Sequence, residues 1–519
     1  PIRNSMYGLD VNYRKDIPRL TKLLDKLPFY KTTAPSAINV FAEGAYLKPG
    51  HAPQIGKGSK GIINIDDFDG TQSGYDLRFP PISWAIASVP LNATDRNGNI
   101  LFPEATFNDS IISGRNRSKI GWYQIEPTLQ QYKGPNNPYS NDRVELSDPR
   151  VRQVYQREIF PQRTTGFGES LLTTFDLAYF PTDRGPYNYD AAPGSVNTNG
   201  KLNNPKTRWG GLMRSIDQPD FETANIEFIE FWMQDPFINY AAKGLTYDPN
   251  TAGGKLYFNL GNVSEDILKD GKRSYENGLP TPNAPSPVDN SNWGRVPINP
   301  VQVTNAFSND PLPIYPNDRK YQDIGFDGLD DTAEVNKRQA YLAQLQGQVS
   351  AAAYQRALVD PSTDNYHYYR GDDLDQTPGI GIIGRYKNYN NPEGNSPVAS
   401  TSSIYSSAAT LYPDAEDLNR DNTLNQTEEY FQYIVDIKHA SQPEMSIGTN
   451  YIVDKKTVTI NPVDGSSRPE IWYQFRIPIG QYNRKIGNIP DFKSIRFIRM
   501  FLTDFSDSVV MRFGELQFT

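Results

Sequence analysis

The sequence predicts a mainly β fold, and two features of its composition indicate this before any element is placed. The chain has 41 Pro and 39 Gly residues among 519, which disfavours long helices and favours frequent turns. Its 32 Tyr, 25 Phe and 6 Trp residues exceed what a disordered chain carries, although only 37% of all residues are hydrophobic. We therefore expect well-ordered strands joined by long polar loops.

Four segments carry the apolar pattern of strands most clearly. In residues 225–233, NIEFIEFWM, apolar residues occupy both sets of alternate positions. This is typical of a strand buried on two faces. Apolar and polar residues alternate in the segments 255–260, 431–437 and 471–479, which indicates strands with one buried face. These segments predict the interior of a sheet structure.

The last apolar segments predict how the fold closes. Residues 495–502 and 509–518 are interpreted as two more strands, joined as a hairpin across residues 504–508. Strands that precede and follow a large insertion fit a β-sandwich. We predict a sandwich of the jelly-roll or galactose-binding-like kind, with long loops and a helical insertion.

Two helices and three long loops complete the expected organisation. Residues 16–27 place four leucine or isoleucine side chains on one helical face behind Asp16 as the N-cap, which predicts a short amphipathic helix that packs on a sheet. Residues 333–358 are rich in Ala, Gln and Leu and predict a second helix. Loops rich in Asn, Pro, Ser and Gly are predicted at residues 182–205, 277–316 and 386–407.

We divide the chain into four segments. They are an N-terminal helix and connecting segment at residues 1–60, a β-sandwich with inserted loops at 61–275, a loop-rich insertion with one helix at 276–428, and C-terminal strands that complete a sandwich at 429–519. The sequence opens without a signal peptide, which suggests a piece of a larger precursor.

Charge and cysteine content exclude several classes of protein. The net charge is −8 and basic blocks are absent, which argues against a nucleic-acid partner. The chain contains no Cys, so disulfides, thiolate metal sites and Cys nucleophiles are excluded. The chain has no run of about 18 apolar residues, so no membrane-spanning helix is predicted.

One acidic loop resembles an EF-hand calcium loop. Residues 417–428, DLNRDNTLNQTE, place oxygen donors at positions that such a loop uses. Asn422 stands where the turn usually needs Gly, and Asn tolerates left-handed φ better than most residues. The predicted calcium ligands are Asp417, Asn419, Asp421, Thr423, Asn425 and Glu428. A solvated acidic loop is the alternative interpretation.

A second acidic loop lies just before the predicted helix of residues 333–358. Residues 323–334, DIGFDGLDDTAE, have Gly328 at the turn position but Gly325 where a ligand is needed. The predicted ligands are Asp323, Asp327, Asp331 and Glu334. In both loops a structural calcium ion would hold together acidic segments that otherwise repel each other.

Motifs for catalysis are missing from the sequence. The three histidines lie outside metal-binding and triad-like motifs, and the chain has neither a GxSxG nor an SxxK motif. We therefore predict that the protein is not an enzyme. The six tryptophans leave a carbohydrate-binding sandwich as an alternative function. A glycosidase or peptidase would require a pocket with convergent carboxylates.

Several strings resemble the SprA/Sov family of outer-membrane translocons, and they occur in the family's order. The longest are IDDFDGTQSGYDLRFPPISWAIASVP (65–90), TTFDLAYFPTDRGPYNYD (173–190), RWGGLMRSIDQPDFETANIEFIEFWMQDPF (208–237), GGKLYFNLGNVSEDILKDGK (253–272) and FRIPIGQYNRKIGNIPDFKSIRFIRMFLTDFSDSVVMRFGELQF (475–518). Shorter strings, LTKLLDKLPFYKT and EGAYLKPGHAP, are similar near the start. The resemblance therefore extends over most of the chain.

The resemblance implies a non-catalytic structural module of the protein-conducting translocon of type IX secretion, with a role in protein export and gliding motility. It implies an outer-membrane location, on the extracellular side or alternatively the periplasmic side. The partners implied are a PorV-type shuttle barrel, a plug protein, a prolyl isomerase and secreted proteins with type IX C-terminal signals. No catalytic residues are carried over from the family.

Overall fold

A computed structural model describes ten parts of the chain: residues 5–24, 26–28, 36–48, 74–162, 170–276, 279–280, 287–298, 321–396, 410 and 412–519. The chain separates into two compact units, Pro1–Ser73 and Gly74–Thr519. We describe each unit by itself.

The first unit is an antiparallel strand pair with a short helix. Strand β1 (Ser5–Asp16) pairs along its full length with β2 (Ala37–Lys48), and helix α1 (Pro18–Leu24) lies between them in the chain. The helix predicted at residues 16–27 is therefore present but shorter. None of its residues is buried, so it does not pack on a sheet through its leucines. Both strands were missed by the sequence analysis.

The described residues of the second unit form fifteen further strands. They are β3 (Tyr75–Asp76), β4 (Ala85–Ile86), β5 (Ser118–Tyr123), β6 (Phe175–Arg184), β7 (Trp209–Ser215), β8 (Phe228–Gln234), β9 (Gly253–Asn262), β10 (Val288–Asn290), β11 (Arg295–Pro297), β12 (Glu429–Lys438), β13 (Ile452–Ile460), β14 (Arg468–Pro478), β15 (Arg484–Ile486), β16 (Phe497–Thr503) and β17 (Val509–Phe518). The strands predicted within residues 225–260 and 431–479 are confirmed, with bounds that differ by up to three residues.

Two antiparallel sheets form the body of this unit. One sheet has six strands in the order β15-β12-β9-β16-β7-β4, and the other has the order β13-β14-β8-β17-β6-β5, with β3 added beside β17. The short pair β10-β11 stands apart from both sheets. A mainly β fold of the sandwich type is therefore confirmed, while the jelly-roll topology stays a prediction.

The two sheets share one hydrophobic core. Phe231 on β8 stacks on Phe475 of the neighbouring strand, with ring centroids 4.7 Å apart. The same ring lies 5.7 Å from Phe258, which belongs to the opposite sheet. All three side chains are fully buried. Apolar side chains on the inner faces of both sheets thus hold the sandwich together, as expected from burial of apolar surface.

The predicted hairpin across residues 504–508 is wrong. Strand β16 lies between β9 and β7 in the six-stranded sheet, whereas β17 lies between β8 and β6 in the other. The connection turns sharply at Asp504, where φ is +66°. Phe505 enters the core and its ring lies 5.9 Å from Tyr179. Both strands are buried on nearly all positions, which fits central strands of two sheets better than a hairpin with one exposed face.

Seven more α-helices are formed by the described residues outside the sheets. They are α2 (Arg143–Ser147), α3 (Gln156–Ile159), α4 (Asp331–Lys337), α5 (Gln339–Gln346), α6 (Ala351–Val359), α7 (Asp372–Asp375) and α8 (Ile382–Tyr386). Short 3-10 helices occur at Pro81–Ser83, Pro103–Thr106, Ile111–Gly114, Pro127–Gln130, Pro205–Thr207, Ala241–Lys243 and Pro443–Met445.

The helix predicted at residues 333–358 is divided into three, α4 to α6. The first break falls at Arg338, whose guanidinium donates to the carbonyl oxygens of Asn292, at 2.8 Å, and of Trp293. The second break ends at Ser350, whose side chain caps α6 by accepting from the Ala353 amide. Tertiary hydrogen bonds and a new N-cap therefore override the helix propensity of this segment.

Asp235, the residue after β8, makes the stability of the fold depend on pH. Burial raises the pKa of its carboxyl from 3.8 to about 6, although the Phe237 amide donates to it. Because the folded chain holds this proton more tightly than the unfolded chain, the contribution of Asp235 to stability falls as the pH rises from about 4 to about 6. We expect Asp235→Asn to raise the free energy of unfolding at pH 7 by roughly 2 kcal/mol.

Urea unfolding at pH 4.5 and pH 7 measures this effect, with the exposed Glu444→Gln as the matched control. The gain from Asp235→Asn should be present at pH 7 and small at pH 4.5. An equal gain at both values would contradict the proposed cause.

Candidate metal centre

Buried carboxylates converge within the helical insertion, which we define as residues 321–396. Asp327, Glu334 and Asp364 each offer one oxygen, and these three atoms lie within 4.8 Å of one another. All three side chains are at most 1% exposed. Asp331 and Asp360 form a second group with Glu334 inside the same distance. We call these five residues the carboxylate cluster.

Tight turns and helix ends place these residues together. Gly325 and Gly328 have left-handed φ values of +70° and +66° on either side of Phe326 and Asp327. The side chain of Asp330 then accepts from the Ala333 amide at 2.8 Å and starts α4, which carries Glu334. Asp360 is the C-cap residue of α6, and Asp364 follows it four residues later.

Ser362 connects two carboxylates of the cluster. Its amide donates to Glu334 Oε2 at 3.1 Å, and its hydroxyl donates to Asp327 Oδ2 at 3.2 Å. The second oxygen of Asp327 accepts from the Leu329 amide at 3.1 Å. Among the described residues, Glu334 Oε1 has no hydrogen-bond partner. Asp364 interacts with the Tyr187 hydroxyl, which can donate to one carboxylate oxygen, so at least one Asp364 oxygen is also without a donor. The centre of the cluster therefore presents bare carboxylate oxygens.

Burial and mutual repulsion raise the pKa values of the cluster. The pKa of Asp327 rises to about 7 and that of Glu334 to about 9, in both cases chiefly through burial. The charge of Asp327 adds to the effect on Glu334. Burial and the neighbouring carboxylates hold the pKa of Asp364 well above its ordinary value. Arg338 reaches the cluster, with its Nη2 atom 3.9 Å from Asp327 Oδ2. The charge of Arg295 also opposes the rise in the pKa of Asp327, and the charges of Arg184 and Lys119 oppose the rise in that of Asp360.

The chemistry of the cluster suits ion binding better than catalysis. Its donors are carboxylate oxygens, which hard divalent cations prefer, and it contains no His or Cys ligand of the kind that zinc prefers. Its three inner carboxylates are fully buried, so a substrate in solution cannot reach them.

Three of the four ligands predicted in the second acidic loop lie in the carboxylate cluster: Asp327, Asp331 and Glu334. Asp323 lies elsewhere, because its carboxylate accepts from the amides of Asn395 and Ser396 at 3.0 and 3.2 Å. Sequence reasoning missed Asp360 and Asp364. The available signal was an acidic pair spaced by four residues just after a predicted helix.

The first predicted calcium loop is folded around Asp417. This carboxylate accepts from the amides of Asp421 and Asn422, each at 3.0 Å, and lies 3.3 Å from Arg273. Asn422 has a left-handed φ of +65°, as its place in the motif predicts. Asp421 accepts from the amide of Thr423 at 2.8 Å, and from its hydroxyl. The Asn419 amide group donates to Asp421 at 3.0 Å.

The last two predicted ligands of this loop bind other parts of the protein. Asn425 donates to the carbonyl oxygen of Val263 at 2.7 Å. Glu428 forms a bidentate pair with the buried Arg499, at 2.8 Å for both contacts. The carboxylates of Asp417, Asp421 and Glu428 are not among the groups that converge within 4.8 Å in the described residues. Calcium binding by this loop stays a prediction.

An aromatic cavity of about 240 Å³ lies beside the insertion. Its wall includes Tyr123, Tyr369 and Tyr386, whose rings stack on one another at 4.4 and 4.6 Å between centroids. All six tryptophans of the chain are buried, at most 4% exposed. They therefore serve packing, not the exposed platforms that a carbohydrate-binding face would use.

A glycine beside the carboxylate cluster gives a test of how tightly it is built. A Cβ atom on Gly325 would overlap Asp364 Oδ2 and lie 3.0 Å from the Tyr187 hydroxyl, and φ is +70°. We expect Gly325→Ala to lower the free energy of unfolding by about 2–3 kcal/mol. Thermal or urea unfolding measures it.

Gly448→Ala is the matched control for Gly325→Ala. Its φ is +86° and no atom lies within 4 Å of the added Cβ, so it reports backbone strain alone. Equal losses in the two variants would contradict a tight contact at the cluster.

The structure thus defines a sandwich-type, mainly β protein with a helical insertion fixed by buried polar contacts. Among the described residues, no helix has both the length and the apolar character needed to span a bilayer. Residues 340–519 match the family SprA_N, described as a motility related/secretion protein. The match includes α6 to α8 and β12 to β17. No curated protein matches the chain.

This match covers about a third of the chain and supports the resemblance to the SprA family found in the sequence. The matched family is described by motility and secretion and not by an enzymatic activity.

Proposed function

We propose that this chain is a non-catalytic structural module of the outer-membrane translocon of type IX secretion, with a role in protein export and gliding motility. The match of residues 340–519 to a motility and secretion family carries the proposal. The module would shape the path of exported proteins and contact its partners, not act on them chemically.

A family-like string supports a structural role. The RGPYNYD string of residues 184–190 makes backbone and side-chain contacts that hold the insertion to the sandwich. The Tyr187 amide donates to the Ser362 carbonyl oxygen at 2.7 Å. The Tyr189 hydroxyl shares a hydrogen bond of 2.7 Å with the Ser362 hydroxyl. Residues that resemble the family are therefore used in assembly of the module.

The first unit supports an outer-membrane location. One face of the β1-β2 pair is apolar along its length, with Tyr7 opposite Tyr46, Leu9 opposite Gly44 and Tyr13 opposite Val40. Tyr7 and Tyr46 are each at least 60% exposed, and Leu9 is 67% exposed. An exposed apolar face of this kind is suited to contact with lipid or with a further apolar surface. We place the module on the extracellular side, with the periplasmic side as the alternative.

The proposed partners are a PorV-type shuttle barrel, a plug protein, a prolyl isomerase and secreted proteins with type IX C-terminal signals. To test this, an affinity tag is inserted at Gly465, a turn residue with open space around it, in the parent protein. Complexes are then purified from solubilised outer membranes. Recovery of a shuttle protein, a plug or a secreted client supports the proposal.

A matched strain keeps this experiment interpretable. The same tagged parent with Arg152→Met, which is expected to destabilise the module, should have weaker export and gliding, whereas Arg96→Met should keep both. Isolation of the parent without partners, together with normal export in the Arg152→Met strain, would contradict the proposed function.

A carbohydrate-binding role is the second candidate, favoured by the aromatic cavity. Asn390 and Asn395 also line that cavity and could orient sugar hydroxyls. Binding of the chain to a glycan array, lost in Asn390→Ala, would favour this role over the structural one.

A further inference from the structure

We propose that the carboxylate cluster binds a calcium ion through Asp327, Glu334 and Asp364. The ion would fix the helical insertion to the RGPYNYD string. This inference concerns the chain itself and stands whether or not the proposed place in secretion is correct.

The unpartnered oxygens carry the inference. Asp364 is fully buried, and the Tyr187 hydroxyl that interacts with it can donate to one of its two oxygens, which leaves the other without a donor among the described residues. Glu334 is equally buried and leaves Oε1 bare. Burial of a carboxylate without compensation is strongly unfavourable, so such groups are normally paired or bound to a metal. Two of them facing one another must either hold protons or have a positive partner.

The charges of the inner cluster match a divalent cation. When the three inner carboxylates are ionised, they carry three negative charges opposite Arg338, which lies 3.9 Å from Asp327. A doubly charged ion would bring these four residues to neutrality. Calcium is the ion of choice because it takes six to eight oxygen ligands, including bidentate carboxylates, at about 2.3–2.6 Å. Asp331 and Asp360 lie on the outer side of Glu334 and offer further oxygens.

The position of the cluster explains what the ion would do. Its ligands come from the loop before α4, from α4 itself and from the turn after α6, and these parts share no sheet pairing. Ser362, which donates to two of the ligands, is the residue that accepts from the Tyr187 amide. The Tyr187 hydroxyl in turn accepts from the Phe326 amide at 2.8 Å. Calcium would therefore lock three parts of the insertion onto the sandwich.

Calcium titration of the full chain tests this inference. After dialysis against EDTA, the wild-type chain is titrated with CaCl₂ by isothermal calorimetry, and its bound calcium is counted by mass spectrometry. We expect Asp364→Asn to weaken binding at this site more than about tenfold. Glu444→Gln, at an exposed side chain outside both acidic loops, is the matched control and should bind like the wild type.

Asp417→Asn separates this cluster from the surface loop of residues 417–428. Binding that survives Asp364→Asn and disappears in Asp417→Asn would overturn the inference, as would a wild-type chain that binds no calcium at millimolar concentration. The latter result would mean that protons alone neutralise the cluster.

A measurement on the wild type covers the case in which Asp364→Asn does not fold. Crystals soaked in Tb³⁺, which replaces calcium, should show an anomalous peak within about 3 Å of an Asp364 oxygen. Peaks found elsewhere only would overturn the inference. Limited proteolysis gives a second readout. EDTA should speed cleavage within residues 321–396 of the wild-type chain, and it should have the same effect on Glu444→Gln.

Discussion

Arg152→Met is expected to lower the free energy of unfolding by about 3–5 kcal/mol. Arg152 is 4% exposed and donates to Glu158 at 2.6 and 2.9 Å. It also donates to Glu470, which is fully buried, at 2.9 Å. Arg468 remains to pair with Glu470 at 2.9 Å, but Glu158 would keep its charge without a cation. An uncompensated buried charge, not the loss of a contact as such, is therefore the main cost.

Chemical denaturation of the full chain measures this loss against Arg96→Met. The Arg96 side chain is 41% exposed and pairs with Asp436 at 2.6 Å, so its removal should cost less than about 1 kcal/mol. Adding Glu158→Gln to Arg152→Met should restore part of the stability. If the double variant is less stable than Arg152→Met, burial of unpaired charge is not the cause.

Phe231→Ala should lower the free energy of unfolding by about 3–5 kcal/mol. The ring is fully buried between the sheets and lies within 5.7 Å of three other phenylalanine rings, between centroids. Truncation leaves a cavity that neighbours in two sheets cannot fill without moving their backbones. The loss therefore includes both apolar transfer and missing packing contacts.

Urea unfolding of Phe231→Ala is compared with Ile447→Ala, whose side chain is 59% exposed. The control should change stability by less than about 0.5 kcal/mol. Phe231→Leu should recover much of the loss because it refills most of the volume. A leucine variant as unstable as the alanine variant would show that ring stacking, and not volume, dominates.

Strand prediction succeeded where local pattern and burial agree. Val509–Phe518 has the predicted bounds, and Phe228–Gln234 is buried on six of its seven positions, as its continuous apolar pattern predicts. The pairing of strands could not be predicted, because a buried strand has no polar face to show which sheet it joins. This is why β16 and β17 were wrongly paired.

The strands of the first unit were missed despite a visible signal. Tyr7, Leu9, Val11 and Tyr13 alternate with less apolar residues along β1. This period of two is the ordinary mark of a strand, and a helix pattern follows it directly in the sequence.

The carboxylate cluster was predictable only in part. A linear motif found Asp327, Asp331 and Glu334, since their spacing follows a twelve-residue calcium loop. Asp364 comes from a turn thirty residues after Glu334, and only the fold brings the two together. Asp323, in contrast, fits the motif, but its carboxylate accepts from the amides of Asn395 and Ser396. The motif alone does not show such tertiary contacts.

The chain passes from one sheet to the other between β16 and β17, and this affects when the unit can fold. Each of these strands fills an inner position of a different sheet, and both come from residues 497–518. When a chain is synthesised or crosses a membrane with its amino end first, residues 497–518 emerge after the earlier strands. Until then both sheets are incomplete. Long-range pairing of this kind folds slowly. Pairs such as β9-β12 can form earlier, but the two sheets would be completed together in one late step.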